Sequence, residues 1–371
     1  MTEVDVTVIG GGVVGCCVAA ETARRGLATV LLEKESRLAT GITARNSEVA
    51  HGGMYYPAGS LKARFCVRGR RLLKEFCAAA GVSYREIGKV IVAVTPEEEG
   101  ELERLLDLGR ENGVEELRLI GARELRRLEP HVVGVAALHS PRTGILDAEG
   151  VARAYGRLAA ERGAQVLTAA RVIGLEPAGS SWRVEVRNDS RAGWTHASRW
   201  LVNAAGLHAD AVAALAGVAV DDRGFRQHWV KGNYFAVAPR HAARIGRLIY
   251  PVPPSDGSSL GVHVCVDLAG QLRLGPDFEP VDRREDYRVD PERRDLFYRS
   301  AAMFLPFLAA EDLAPGMSGI RPKLATDGFA DFHLERHEGQ LAGLISLIGI
   351  DSPGLTAAPA IAEAVGDMLE D

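Results

Sequence analysis

The sequence predicts an α/β fold in which a Rossmann-like cofactor domain is interleaved with a mainly antiparallel α+β domain. Three observations lead there. Gly10-Gly11-Gly12-Val13-Val14-Gly15 sits between a short apolar strand and a helix. Strand–helix alternation marks the start, middle and end of the chain, while two intervening stretches read as strands joined by turns. The chain closes on a second strand–turn–helix junction, Gly349-Ile350-Asp351-Ser352-Pro353-Gly354-Leu355-Thr356.

Taken in order, Val4 to Ile9 is an expected buried strand. Val13, Cys16, Cys17, Ala20 and Ala23 have helical spacing, Gly26 stops the helix, and Ala28 to Leu32 is a second strand ending at Glu33. Ser60 is placed to cap a long helix that ends at Ala80, before Gly81. Ile87 to Val94 is an expected strand. Thr95-Pro96-Glu97-Glu98 has the form of a capping box for a helix to about Asn112. Val135 to His139 reads as extended, Asp147 as the cap of a helix to about Arg162, and Ala164 to Thr168 as a strand. Arg171 to Glu176 and Trp182 to Arg187 read as a hairpin, and Trp200 to Asn203 as a strand. Phe225 to Leu274 is strand-rich, with a hairpin turning at Ala269-Gly270, and Asp290-Pro291 opens a helix to about Phe304. These elements divide the chain into a discontinuous cofactor domain (1–81, 146–221 and 318–371) and a substrate domain (82–145 and 222–317).

The 371 residues allow two or three domains, and the net charge of -5 argues against nucleic acid as a partner. Cys16, Cys17, Cys66, Cys77 and Cys265 lack metal-ligand spacing, so no metal is expected and the thiols read as buried apolar groups in a reduced, cytoplasmic compartment. No basic segment precedes the first strand. The most apolar long run, Leu201 to Val220, contains Asn203, His208 and Asp210 and is not a membrane span, which leaves room only for a peripheral membrane contact.

The motifs carry the chemistry. Gly10 permits a tight turn, Gly12 lets the backbone approach a pyrophosphate, and Gly15 lets helix and strand pack closely. The N–H groups at Val13 and Val14 open the helix toward phosphates. Glu33, followed by Lys34, ends the second strand where an acid accepts hydrogen bonds from ribose hydroxyls and disfavours a 2′-phosphate. The connector Arg45-Asn46-Ser47, with His51-Gly52-Gly53, is dense in hydrogen-bonding groups beside that turn, and His51 is a candidate base. Ala204-Ala205-Gly206 ends a strand with small residues that let a cofactor pack against backbone. Arg321 in Gly319-Ile320-Arg321-Pro322-Lys323 offers a bidentate fork for a carboxylate. At the closing junction, Ser352, Pro353, Gly354, Leu355 and Thr356 aim a helix N-terminus at a cofactor that becomes anionic on reduction, which suits a flavin better than a nicotinamide.

At this point the segments resemble a known family. Arg45-Asn46-Ser47-Glu48-Val49, His51, Gly53, Tyr55-Tyr56-Pro57 and Gly59-Ser60-Leu61-Lys62-Ala63 are similar to the L-2-hydroxyglutarate dehydrogenase/oxidase family of the D-amino-acid oxidase-like (DAO) flavoproteins. The similarity continues through Val202-Asn203-Ala204-Ala205-Gly206, Lys231-Gly232-Asn233-Tyr234-Phe235, Ile249-Tyr250-Pro251, Leu260-Gly261-Val262-His263, the Arg321 segment and the closing junction, so it spans nearly the whole chain. It departs in Gly52 and in Asp351, where glutamate is expected before Ser-Pro-Gly.

The resemblance implies an FAD-binding domain and a substrate domain. It also implies oxidation of a 2-hydroxy acid, L-2-hydroxyglutarate first, to the 2-oxo acid by hydride transfer to flavin N5. No cysteine follows Cys265, so the FAD is expected to be non-covalent. Val172 completes the expected cofactor contacts. Arg321 is expected to hold the C1 carboxylate. His51 is the first candidate base and His263 the second, and Tyr250 and Lys231 line the pocket, with one cation reaching the distal carboxylate. Dioxygen or a quinone is the expected electron acceptor, and the sequence sets no oligomeric state. An amino-acid, sarcosine or glycine-type oxidase on the same fold, and a non-catalytic flavin- or NAD-binding redox sensor, are the rival readings.

Overall fold

The computed structural model describes residues 3–188, 191–253 and 261–370; Leu260 and Asp371 lie outside the described residues. Five strands form a parallel core in the order Gln165–Leu167, Thr29–Leu32, Glu3–Ile9, the C-terminal half of Arg191–Asn203, and Leu344–Ile348. The four residues of Thr29–Leu32 are all buried, as expected of a strand covered on both faces. The strand ending at Asn203 is longer than the sequence suggests. Its N-terminal half pairs antiparallel with Ser181–Asn188, which pairs in turn with Arg171–Ala178, so the expected hairpin becomes a three-stranded extension of the core. His333–Arg336 runs antiparallel beside Leu344–Ile348.

The helices Val13–Arg24, Ala148–Glu161 and Gly354–Glu370 cover this sheet, and Leu61–Ala80 packs on the last of them. Their starts follow the expected caps. Ser60 Oγ accepts from the Ala63 N–H at 3.2 Å, and Asp147 Oδ1 accepts from the Gly150 N–H at 2.7 Å. Gly81 ends the long helix with φ +67°, a left-handed conformation natural to glycine. The Asp290-Pro291 signal opens a single 3-10 turn before the helix Arg294–Ala302. A short strand, Arg118–Gly121, and a helix, Ala122–Leu128, lie between the expected helix to about Asn112 and the extended stretch Val135 to His139.

The second sheet has nine strands and is antiparallel except where Leu248–Pro251 runs parallel to Lys89–Ala93. The expected hairpin at Ala269-Gly270 joins Val264–Val266 to Leu272–Leu274. Leu313–Lys323 pairs along its length with His228–Val237. Residues 318–323, expected with the cofactor domain, are therefore built into this covering sheet. A small sheet of Val49–Ala50, Gly144–Leu146 and Tyr84–Arg85 lies between the two large ones and carries the chain from the cofactor turn to His51.

Candidate active site

The two large sheets enclose a cavity of about 920 Å³. One end is the glycine turn. Gly10 has φ +111°, and a Cβ there would stand 2.5 Å from the Ala204 carbonyl oxygen, so the turn lies directly on the strand end at Ala204. Gly15 is packed so closely that a Cβ would collide with the Gly10 carbonyl oxygen. It sets helix–strand packing and does not reach the cavity wall.

Glu33 Oε2 accepts from the Gly11 N–H at 2.6 Å, and Oε1 accepts from the Glu35 N–H at 2.8 Å. The Val13 N–H donates to Thr43 Oγ1 at 3.0 Å, a contact no sequence pattern announced. Asn46 braces the connector, donating to the Ile42 and Thr43 carbonyls at 3.2 and 2.7 Å and accepting from the Glu48 N–H at 2.7 Å. Ser47 Oγ lies 2.6 Å from Tyr234 Oη, and the Arg45 guanidinium lies 4.0 Å from the Tyr287 ring centre.

The cavity wall brings together Gly10, Gly12, Val13, Val14, Glu33, Lys34, Arg45, Asn46, Ser47 and His51. To these it adds Ala204, Ala205, Gly206, Tyr250, His263, Arg321 and Ser352 to Leu355. Six expected residues stand elsewhere. Gly15 is explained above. Gly52 and Gly53 face Met54, Val67 and Val114. Val172 packs on the apolar cluster beneath the hairpin. Thr356 is buried, its Oγ1 accepting from the His51 N–H at 3.0 Å and donating to the Val49 carbonyl at 3.2 Å. Lys231 points away because side chains alternate along a strand: its neighbours Gly232 and Tyr234 face the cavity, while its Nζ pairs with Asp286 at 3.1 Å and Glu279 at 3.2 Å.

Arg321 donates only to main-chain carbonyls, to Asp277 at 2.6 Å and to Val230 and Lys231 at 3.4 Å. No carboxylate among the described residues hydrogen-bonds to it; burial pulls its pKa down, and the charges of Asp351 and Asp277 offset this only in part. The guanidinium is thus held in place by main-chain carbonyls, with no carboxylate bonded to it. Two imidazoles share the wall. His263 Nδ1 lies 2.9 Å from the Gly261 carbonyl oxygen, an acceptor only, so Nδ1 carries the hydrogen and the neutral ring keeps a lone pair on Nε2. Burial drives its pKa down to about 3. Burial, with Lys89 and His263 nearby, also holds His51 well below the usual histidine value. Both rings are therefore neutral near pH 7.

Sequence reasoning missed several wall residues. Lys62 pairs with Asp351 at 2.6 Å, and Lys323 approaches the same carboxylate at 3.7 Å. Tyr55 stands on the wall, and Lys89 lies behind it. Lysine at the head of the apolar run Lys89-Val90-Ile91-Val92-Ala93 was the available signal for the last. All five cysteines are free and buried, and no helix among the described residues is long and apolar enough to cross a membrane.

The glycine turn, the helix N-terminus and the acid at the second strand end fit a dinucleotide, and the length of the cavity to Ser352–Leu355 fits FAD. Comparisons agree. Residues 5–368 match the family model described as DAO, FAD dependent oxidoreductase. The chain is 38% identical to the mitochondrial L-2-hydroxyglutarate dehydrogenase of Arabidopsis thaliana, with 98% of this chain and 83% of that protein covered. It is 32% identical to the Homo sapiens protein of the same name, with 99% and 88% covered. Among solved structures, the FAD-bound L-alpha-glycerophosphate oxidase of Mycoplasma pneumoniae superposes with a TM-score of 0.89 at 26% identity, covering 100% of this chain and 96% of that one. Glycine oxidase from Geobacillus kaustophilus superposes with a TM-score of 0.82 at 22% identity, covering 100% and 95%, and shares the fold. The chain therefore belongs to the DAO family of FAD-dependent oxidoreductases, alongside the L-2-hydroxyglutarate dehydrogenases.

Proposed function

We propose that the protein oxidises L-2-hydroxyglutarate to 2-oxoglutarate. One observation carries the reading: a guanidinium anchored by main-chain carbonyls, with no carboxylate bonded to it, and two neutral imidazoles share the wall of a cavity that begins at a dinucleotide turn. In this reading residues 1–81, 146–221 and 318–371 hold the cofactor, 318–323 doing so from the covering sheet, and 82–145 and 222–317 shape the substrate site. FAD, held without a covalent link, supplies the hydride acceptor.

The residues of the chain do the rest. Arg321 holds the C1 carboxylate in its fork. The C2 hydroxyl must give up its proton as the hydride leaves, and His51 is the first base, with His263 Nε2 the second. Depressed pKa values make these imidazoles weak bases in the empty cavity. A bound dicarboxylate places negative charge beside them and raises both toward neutrality. The substrate's own charge thus readies the base, an effect a neutral substrate lacks. Electrons pass on to dioxygen or a quinone.

An amino-acid oxidase would share Arg321 but needs no strong base, because a neutral amine brings its own lone pair; the two neutral imidazoles favour the hydroxy acid. Buried free thiols support a reducing, cytoplasmic setting. Mixing the yellow enzyme anaerobically with 2-hydroxy acids and with amino acids tests the proposal. Rapid bleaching by L-2-hydroxyglutarate is expected, and bleaching by amino acids alone would refute it.

A further inference from the structure

We infer that Lys89, together with the hydroxyls of Tyr55 and Tyr250, forms the subsite for the second carboxylate of a five-carbon hydroxy diacid. The inference rests on the 2-hydroxy-acid reading and adds the group that selects for the diacid.

Among the described residues, four Lys or Arg side chains are buried outright: Lys62, Arg70, Lys89 and Lys231. Three have carboxylate partners, in Asp351, Glu115, and the Asp286–Glu279 pair. Lys89 alone of the four has none, and its Nζ has no hydrogen-bond partner. A buried ammonium without a counter-ion is costly, so such a site is stable only as the free amine or with an anion nearby. Burial accordingly brings the Lys89 pKa down to about 7, where both forms are accessible.

The surroundings say which anion. The ammonium lies 3.8 Å from the Tyr250 ring centre and 5.1 Å from that of Tyr55. Tyr250 stacks on His263, centroid to centroid at 3.6 Å. Around this one point, His51 Nδ1, Tyr55 Oη, Lys89 Nζ, Tyr250 Oη and His263 Nε2 are all buried and unpaired. Native interiors leave few polar atoms unmet, and a convergence of five marks a ligand's place. Two phenol donors and a cation suit a carboxylate, and two imidazole nitrogens suit the adjacent hydroxyl. Tyr55 and Tyr250 face the cavity and would make the hydrogen bonds, while Lys89 behind their rings supplies the countercharge. With Arg321, the site then holds two cations that no carboxylate bonds directly, for two substrate carboxylates.

The experiment compares L-2-hydroxyglutarate with L-2-hydroxyvalerate, the monoacid of equal length, in anaerobic reduction of the FAD-loaded enzyme. For Lys89→Met the half-saturating concentration of the diacid is expected to rise roughly a hundredfold, as when one partner of a buried charge pair is truncated. The limiting rate and the monoacid should move far less than the affinity for the diacid, since neither requires a countercharge for a second carboxylate. Tyr55→Phe, a milder change that keeps the ring, should give a diacid-specific loss of about tenfold, the worth of one hydrogen bond to a charged group. Glutarate, which cannot be oxidised, should lose its competition in parallel. This binding readout stands even if hydroxyglutarate proves not to be the substrate, so that failure is separable from failure of the subsite. Equal weakening of diacid and monoacid, an unchanged diacid, or a diacid-specific loss in Lys323→Met instead would overturn the assignment.

Discussion

The hydroxyl of Thr356, in the first turn of the C-terminal helix, accepts a hydrogen bond from the backbone N–H of His51 at 3.0 Å. It donates in turn to the Val49 carbonyl at 3.2 Å, so one side chain ties the end of the chain to the proposed base near its beginning. Thr356→Val keeps the shape and removes both bonds, leaving a buried N–H unmet at a cost of about 1–3 kcal/mol. The expected result is retained FAD, nearly unchanged substrate affinity and a rate of flavin reduction lowered by roughly tenfold, because a small displacement of a base is enough to slow proton transfer. Stopped-flow reduction measures it, and a wild-type rate would show that the tether does not position His51.

Removing the proposed base itself should cost more. His51→Gln is expected to slow flavin reduction by about a hundredfold or more, the usual worth of general base catalysis. His263 has its Nδ1–H committed to Gly261, and His263→Gln should show whether it serves as the second base. If His51→Gln reduces at full speed while His263→Gln does not, the order of the two bases is reversed.

Arg321 should act on capture. Its anchoring to the Asp277 carbonyl at 2.6 Å leaves the fork aimed without a competing carboxylate. Arg321→Lys keeps charge but loses the fork, and we expect a rise of about tenfold or more in KM with a smaller change in kcat. Steady-state kinetics decides, and a variant with lowered kcat at unchanged KM would point to a role in the chemical step.

The parts of the fold legible in the sequence were those set by local rules. Gly10 to Gly15, the Ser60 and Asp147 caps and the Gly81 stop each act over a few residues, and each stands where its pattern placed it. What depended on distant pairing was not legible. Nothing near Arg191 announces that one strand will serve two neighbours on the same edge, and nothing near Thr43 announces its bond to Val13. The site divides in the same way. Arg321 and His51, both on the cavity wall, were legible because each sits in a recognisable local motif. Lys231 was misplaced because strand register, unseen in the sequence, turns it toward Asp286. Lys89 was missed because an unmet charge is visible only once all possible partners are in place.

Gly10 gives a test of the cofactor end. Gly10→Ala would force a side chain to φ +111° and bring its Cβ to 2.5 Å from the Ala204 carbonyl oxygen. The turn must then shift from the strand end against which the cofactor packs. Purified Gly10→Ala is expected to carry far less flavin per chain, read as the flavin-to-protein absorbance ratio, and full occupancy would exclude this turn from cofactor binding.

Lys89 makes a prediction about stability with its own sign. Its pKa is about 7 in the folded protein against an ordinary 10.5, with burial as the main cause. Between those values the unfolded chain holds a proton that the folded chain has lost, so the Lys89 contribution to stability rises with pH from about 7 to 10.5 and is least favourable below 7. The groups around it do not compensate the charge. Tyr55, Tyr250, Cys66 and Cys265 are held protonated by burial, and His51 and His263 are held neutral. Lys89→Met should therefore melt a few degrees higher than wild type at pH 6.5, with the gap closing toward pH 9. Glutarate should stabilise wild type more than the variant at the lower pH, since only the ammonium gains from an anion. A lysine kept for packing alone would give the opposite result, a variant less stable at every pH and indifferent to the diacid.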